Sequence, residues 1–291
     1  MRIILFPGKM DQQSQSTLPT SPTGRNARGR QRRQALIIHG SRILLLACVL
    51  IAWQFISGRF VNPLFISSPL AVWERIYSWS LDGTLWFHTA ITLQEILLGL
   101  FFGLVTGILA GFLLGLQPTL AKILDPFIVA FYSIPKPALA PLFILWFGID
   151  MPMKVILAAV IVFFLVFFNT LAGVRNVEQN LIDAVLLMGG TRRDILFKVI
   201  VPSATGSVLI GLHIAIPYAL IGAIIGELIA SNRGLGYLID ASGNDFDTAG
   251  VFAALLVLTL IAGILNAAVN LIDRMTSRWK TGISMSQKLA P

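Results

Sequence analysis

Residues 96–121 read ILLGLFFGLVTGILAGFLLGLQPTLA, twenty-six positions without a charged side chain. A helix needs about 20 apolar residues to cross about 30 Å of hydrocarbon, so this stretch is long enough to span a bilayer. Within it Gly99, Gly103, Gly107, Gly111 and Gly115 recur at every fourth position. On a helix that spacing places all five on one face. Lipid gives apolar helices no hydrophobic reason to associate, and stripes of small residues let two backbones approach closely enough for dispersion to hold them. The stretch therefore predicts a membrane helix packed in a bundle. The general abundance of glycine in membrane helices would account for one or two of these positions, not for five in register.

Further apolar stretches recur on either side: Ile43 to Gly58, Pro126 to Ile149, Val155 to Val174, Val199 to Gly226 and Ala249 to Ile272, with Lys136 the one interruption. Six transmembrane helices are expected. Composition agrees, since 56% of the 291 residues are hydrophobic, 12% are charged and the mean hydropathy is +0.80, too apolar for a water-facing globule. The net charge of +8 is concentrated at one end, where residues 1–42 hold eight Lys/Arg against Asp11. A basic tail beside a nearly neutral apolar body fits an anionic membrane surface and argues against nucleic acid, because no basic stripe lies on a folded element. Residues 1–35, poor in apolar side chains, are expected to be a disordered cytoplasmic tail. Met10 is an alternative start. Ile43 to Gly58 lacks a small-residue cleavage site and is expected to stay as an anchor, the first transmembrane helix over 43–60. The single cysteine, Cys48, rules out an intrachain disulfide framework or thiolate metal site and reads as a small hydrophobe.

With the basic tail in the cytoplasm, seventeen Lys/Arg fall inside and four outside, namely Arg59, Arg75, Lys154 and Arg233. The positive-inside rule then places both termini in the cytoplasm. Five helices in residues 85–274 form the core, a cytoplasmic loop occupies 175–202, and 275–291 form a second cytoplasmic tail.

The third apolar stretch contains Pro126, Pro135, Pro137 and Pro141. Each removes a backbone donor, so the helix is expected to bend or break between Ser133 and Pro141, facing protein or a cavity. Lys136 sits at the break. Its ammonium could attract an anion along a pathway, or simply reach the headgroups at the membrane surface.

The 175–202 segment is amphipathic without a span to make. Asn180 to Met188 favours a helix, Gly189 and Gly190 break it, and Thr191 with Asp194 has capping-box spacing for a second short helix, which Pro202 is expected to end. Arg192 and Arg193 at the bend are available to an acidic partner. An ordinary amphipathic helix lying on the headgroups is the plainer reading of this segment. Asp183, Ala184 and Val185, then Gly189 at plus six and Pro202 at plus nineteen, with Phe197 between, resemble the EAA loop of binding-protein-dependent ABC importer permeases. FISSP at 65–69, SIPKPALAPLFILWFG at 133–148 and ELIASNRGLGY at 227–237 match the branch that includes nitrate, taurine and alkanesulfonate permeases. Asp183 stands where that family has Glu, and Val185 where it has a second Ala.

The resemblance covers about residues 60–280 and implies an all-α, type-1 (MetI-like) importer permease bundle. It implies a homodimer, though a heterodimeric permease is equally compatible with one sequence. It also implies two cytoplasmic ATPase subunits that bind the ATP and magnesium, and a periplasmic or lipid-anchored binding protein. Asp183, Ala184, Gly189, Arg192, Phe197 and Pro202 would then couple the chain to the ATPase. The chain itself lacks a phosphate loop followed by Lys-Ser/Thr, so it is expected to be a permease subunit and not an enzyme, with no cofactor of its own. Lys136, Glu227 and Arg233 are candidate pathway or gate residues, with Glu227 expected to pair with Arg233 or else to be solvated at the interface. His88 and His213 lack metal-ligand companions and are expected to be packed or hydrogen-bonded. Asp240, Asp245 and Asp247 fall in an expected outer loop, Ser231 to Asp247, solvated or available to a binding protein. The cargo is expected to be a small anion, with a pyrimidine vitamin precursor as the alternative. A function from another class, an ion-coupled secondary transporter, would require inverted repeats and paired intramembrane acids or broken helices in both halves.

Overall fold

The structure is a computed structural model that describes residues 24–276. The described residues fall into two compact units, divided between Trp53 and Gln54. The first is occupied by most of helix α1 (Gly24–Ile56), whose apolar part, Gly40–Ile56, is 17 residues long. Of the tail expected to be disordered over 1–35, residues 1–23 lie outside the described residues, and residues 24–35 form the first turns of α1. Arg, Gln and Ala are good helix formers, and a helix nucleated in the apolar segment propagates through them. The expected tail beyond Thr276 also lies outside the described residues.

In the second unit, among the described residues, every named element is helical: α2 (Pro69–Leu81), α3 (Thr84–Leu116), α4 (Pro118–Ser133), a 3₁₀ turn (Lys136–Leu139), α5 (Ala140–Phe147), α6 (Met151–Arg175), α7 (Gln179–Leu187), α8 (Arg192–Ile195), a π turn (Leu196–Ile200), α9 (Val201–Ile229), α10 (Leu235–Asn244) and α11 (Thr248–Thr276). Ser68 starts α2 by accepting the Ala71 amide at 3.2 Å, ahead of Pro69 in the first turn, where a missing N–H costs nothing.

The glycine stripe of α3 lies against α6. A Cβ placed on Gly99, Gly103, Gly111 or Gly115 would come within 2.6 Å of Ala158, Val162, Thr170 or Val174, and one on Gly107 within 3.0 Å of Val166. Opposed positions differ by a constant 59, so α3 and α6 run parallel. On the other flank of α6, Gly173 meets Ser207, Gly211 meets Asn169, Gly222 meets Ala158 and Gly226 meets Lys154. Those numbers have a constant sum, so α9 runs antiparallel to α6. Helix α6 is thus the middle of a close-packed α3–α6–α9 layer, and Val162, Val166, Ala158 and Leu157 within it are fully buried.

The parallel course of α3 and α6 requires residues 117–150 to return the chain to the end where α3 began. They do so as a broken element: α4 stops at Ser133, and the following 3₁₀ turn and α5 leave at 83°. The prolines therefore break this span where the sequence predicts. Among the described residues four helices are long and apolar enough to cross a membrane singly, or up to five if the bent pair is one span. The expected count of six is therefore not matched exactly, because the apolar part of α1 is shorter than the usual length of about 20 and the third span is two short helices.

Candidate functional site

These directions place two groups of residues at opposite ends of the layer. One end carries the 175–202 segment, between the end of α6 and the start of α9. The other carries the starts of α3 and α6, the end of α9 and the start of α10.

At the first end α7 terminates on a left-handed glycine. Gly189 has φ +77°, a conformation costly for any residue with a Cβ, and its own surroundings are open. Its neighbour Gly190 is required for a different reason, since a Cβ there would meet Val185 Cγ1 at 2.4 Å. Thr191 then opens α8 with a reciprocal capping box: its hydroxyl oxygen accepts the Asp194 amide at 3.3 Å, and Asp194 Oδ2 accepts the Thr191 amide at 2.9 Å. Asp194 also meets Lys198 at 2.6 Å. Helix, glycine turn and helix follow as the sequence predicts, but Pro202 does not end α8. The chain widens through the π turn, where the Val201 amide reaches the Leu196 carbonyl, and continues directly into α9. A proline clashes with the carbonyl four residues back in an α-helix, and the wider turn accommodates that clash without stopping the helix. Asp183 is exposed and accepts a hydrogen bond from Gln179 Nε2 at 3.0 Å. Ala184, Gly189 and Arg192 are exposed as well. So are the apolar Leu187 (89%), Met188 (86%) and Phe197 (66%).

At the other end is a buried charge cluster. Glu227 is 1% exposed; its Oε1 accepts from the Thr92 hydroxyl at 2.7 Å and its Oε2 from the Gly236 amide at 2.5 Å. Thr92 in turn accepts the Leu235 amide at 2.7 Å. Lys154 is 2% exposed, bridging Glu95 Oε1 at 2.7 Å and Ser231 Oγ at 2.8 Å. The N-terminus of α10 is tied to α3 and α9 by these bonds and by the Gly234 amide, which donates to His88 Nδ1 at 2.9 Å. His88 also stacks on Tyr237, and His213 is hydrogen-bonded to Asn270 at 3.0 Å, so both histidines are bonded as expected.

Two expectations are corrected here. Glu227 is neither solvated nor paired with Arg233, because Gly234 and Gly236 bring the backbone of the following segment onto its carboxylate; a Cβ on Gly234 would lie 2.0 Å from Oε1. Arg233 instead reaches Asp150 at 3.3 Å, half exposed. The expected outer loop Ser231 to Asp247 contains helix α10, with Asp247 bound to Arg75 at 2.8 Å and Asp240 to Asn244 at 3.2 Å. Glu95, Lys154, Thr92 and Ser231 were not singled out by sequence. A signal for two of them exists: Glu95 is the next member of the stripe 99, 103, 107, and Lys154 of the opposed ladder 158, 162, 166, so the same offset of 59 that pairs the glycines pairs the charges.

Lys136 occupies a third place, the rim of a cavity of about 420 Å³ lined by Tyr132, Pro135, Phe164, Tyr218 and Ile221 among others. Its ammonium donates to the Phe131 and Tyr132 carbonyls and lies 4.7 Å from the ring centroids of both Tyr132 and Phe164. Lys136 is thus at the break between α4 and α5, apart from Glu227 and Arg233. Among the described residues no group of three His, Cys, Asp or Glu could hold a metal ion.

Among the described residues the chain is a helical bundle with several candidate membrane spans, one of them broken, and a helix–glycine–helix insertion at the end opposite its buried charges. Residues 103–280 match the family described as binding-protein-dependent transport system inner membrane component, and the chain belongs to that family. It is 33% identical over 252 residues to the taurine transport system permease protein TauC of Escherichia coli K12, covering 85% of this chain and 90% of that protein. It is 32% identical over 237 residues to the formylaminopyrimidine transport permease protein ThiX of Halalkalibacterium halodurans, covering 81% and 94%. The fold is that of a chain in the inward-facing MetNI methionine ABC transporter, with TM-score 0.59, 21% identity and coverage of 69% of this chain and 97% of that one. The chain is therefore a type-1 ABC importer permease subunit of the inner membrane, and ATP hydrolysis lies in a separate subunit.

Proposed function

We propose that this permease imports a small organic anion of the sulfonate type and is driven through the 175–202 segment by a cytoplasmic ATPase. The observation that carries the coupling part is the exposed apolar surface of Leu187, Met188 and Phe197 around the left-handed Gly189 turn. Apolar side chains this exposed, gathered around a helix bend, form a surface suited to a partner. Asp183, Ala184, Gly189 and Arg192 lie around the same bend, while Phe197 and Pro202 lie on the π turn and the start of α9 that carry its movement into the bundle. This end is the cytoplasmic one, because Lys122, Arg175, Arg192, Arg193 and Lys198 gather there. Two ATPase subunits holding ATP and magnesium, a second copy of this chain and a periplasmic or lipid-anchored binding protein complete the importer.

The anion part rests on Lys136, one cation over two aromatic rings at the mouth of a mostly apolar cavity. A single anionic head with a short organic body suits that lining, and TauC is a relative named for taurine. A pyrimidine vitamin precursor is the second reading, favoured by the likeness to ThiX. Arg233, half exposed near the outer end, and Glu227 beneath it would act at the outer gate. Purification of the tagged chain in mild detergent tests the coupling. A nucleotide-binding partner should come with it, and a Gly189→Val change should leave ATPase activity that no longer drives uptake; a chain that purifies alone and still moves solute would overturn the reading. Competition of uptake by taurine against a formylaminopyrimidine decides the cargo.

A further inference from the structure

The buried charges at the α10 end do not balance. Among the described residues Glu95, Glu227 and Lys154 are the buried ionisable groups, two acids against one base. They come from three different helices, so the imbalance is enclosed by the core and cannot be relieved at the surface. The other charged and titratable groups nearby are accounted for. His88 on α3 is occupied by the Gly234 amide, Arg233 is directed to Asp150, and Asp240 on α10 is near its far end, paired with Asn244.

The hydrogen bonding is one donor short at the same place. Glu227 has an N–H or O–H on each oxygen, and Glu95 Oε1 has the Lys154 ammonium, but Glu95 Oε2 is buried with no partner. The Glu227 carboxyl, also an acceptor, neighbours that of Glu95. Two neighbouring carboxylates in a buried site repel, and a buried acceptor without a donor is disfavoured; one proton cures both faults. A proton between the two acids leaves one negative charge against Lys154 and converts two facing acceptors into a donor and an acceptor. We propose that Glu95 and Glu227 together bind a single proton, and that this proton-sharing pair, neutralised by Lys154, is the joint that fixes α10 to the α3–α6–α9 layer. The inference concerns the fold of this chain and stands whatever the cargo is.

The site is open to a direct test because the chain has four glutamates, and the other two, Glu74 and Glu178, are exposed. The full chain, purified in a maltoside detergent that has no ester carbonyl, is examined by infrared spectroscopy at pH 8, where exposed carboxyls are ionised. The expected result is a protonated-acid C=O band equivalent to one carboxyl, which shifts when the protein is grown with carboxyl-¹³C glutamate. Absence of the band would mean that both acids are ionised, or that a metal cation takes the proton's place, and would overturn the proposal; so would a band indifferent to the label. Glu95→Gln provides the second measurement. Its amide oxygen accepts from Lys154 and its amide nitrogen donates to Glu227, so it replaces the proton by a fixed donor. The band should disappear from a chain that still folds and transports, and a band of unchanged size in this variant would place the protonated acid elsewhere.

Discussion

The two ends of the α3–α6–α9 layer solve opposite problems. At the α10 end every element converges on buried polar groups, and glycine at 234 and 236 is present because a side chain would strike Glu227. At the 175–202 end glycine at 189 is present for its φ alone, with open space where a side chain would go and apolar residues left bare around it. One end is finished within a single chain, whereas the other, on the proposed reading, is completed by a partner. The same residue type therefore has different consequences when replaced, and substitutions that exchange stability for coupling tell the ends apart.

The largest effect is expected at the finished end. Lys154→Met leaves Glu95 buried beside Glu227 without a counter-charge, and breaking one partner of a buried pair typically costs about 3–5 kcal/mol. The chain should lose most of its folded yield, read by size-exclusion in detergent and by thermal unfolding. Next, Gly103→Leu forces a side chain into Val162 and the Ala159 carbonyl, both within 2.7 Å of an added Cβ. Overpacking of this kind costs about 1–3 kcal/mol, and a lowered unfolding temperature should show it. Gly189→Val should cost about 1–2 kcal/mol, confined to the turn, because a branched residue is strained at positive φ. Its unfolding temperature should fall less than that of Gly103→Leu while ATP-driven uptake fails, and the reverse outcome would erase the distinction between the ends. The smallest effect belongs to Arg233→Ala: the ion pair with Asp150 is exposed, and such pairs contribute about 1 kcal/mol or less. Thermal unfolding should not register it, and any change should appear in uptake alone.

The stretch 96–121 carried more of the fold than its hydropathy, because a stripe at every fourth residue specifies a face and predicts a neighbouring backbone. That neighbour, α6, bears no comparable glycine run; its side of the contact is Ala, Val and Thr, ordinary residues in a membrane helix, so the partner was not legible. The break at Ser133–Pro141 and the helix–glycine–helix segment were readable, since proline and glycine act on their own backbone. Their continuation was not: whether Pro202 stops a helix or rides a π turn depends on the α9 residues that follow and on what they pack against. Glu227 could be recognised as unusual, yet its partners lie 135 residues away at Thr92 and nine residues away at Gly236. Counting Lys154 among outward charges missed it for a related reason. Charge statistics treat every lysine near a helix end as facing water, and this one is turned inward by its place on the contact ladder with α3.

The π turn has a mechanical consequence. Because it joins α8 to α9 without interruption, Arg192 and Ile229 are the ends of one 38-residue helix, a rod of about 57 Å at 1.5 Å per residue. The unfinished surface rides at one tip, and Glu227 lies within the last turn of the other. A push that tilts this rod by about 5° about its lower end displaces the upper end by about 5 Å, roughly one helical turn. On the proposed coupling, a push at one tip would reach the other along one continuous helix, whose far end is held by the buried acids.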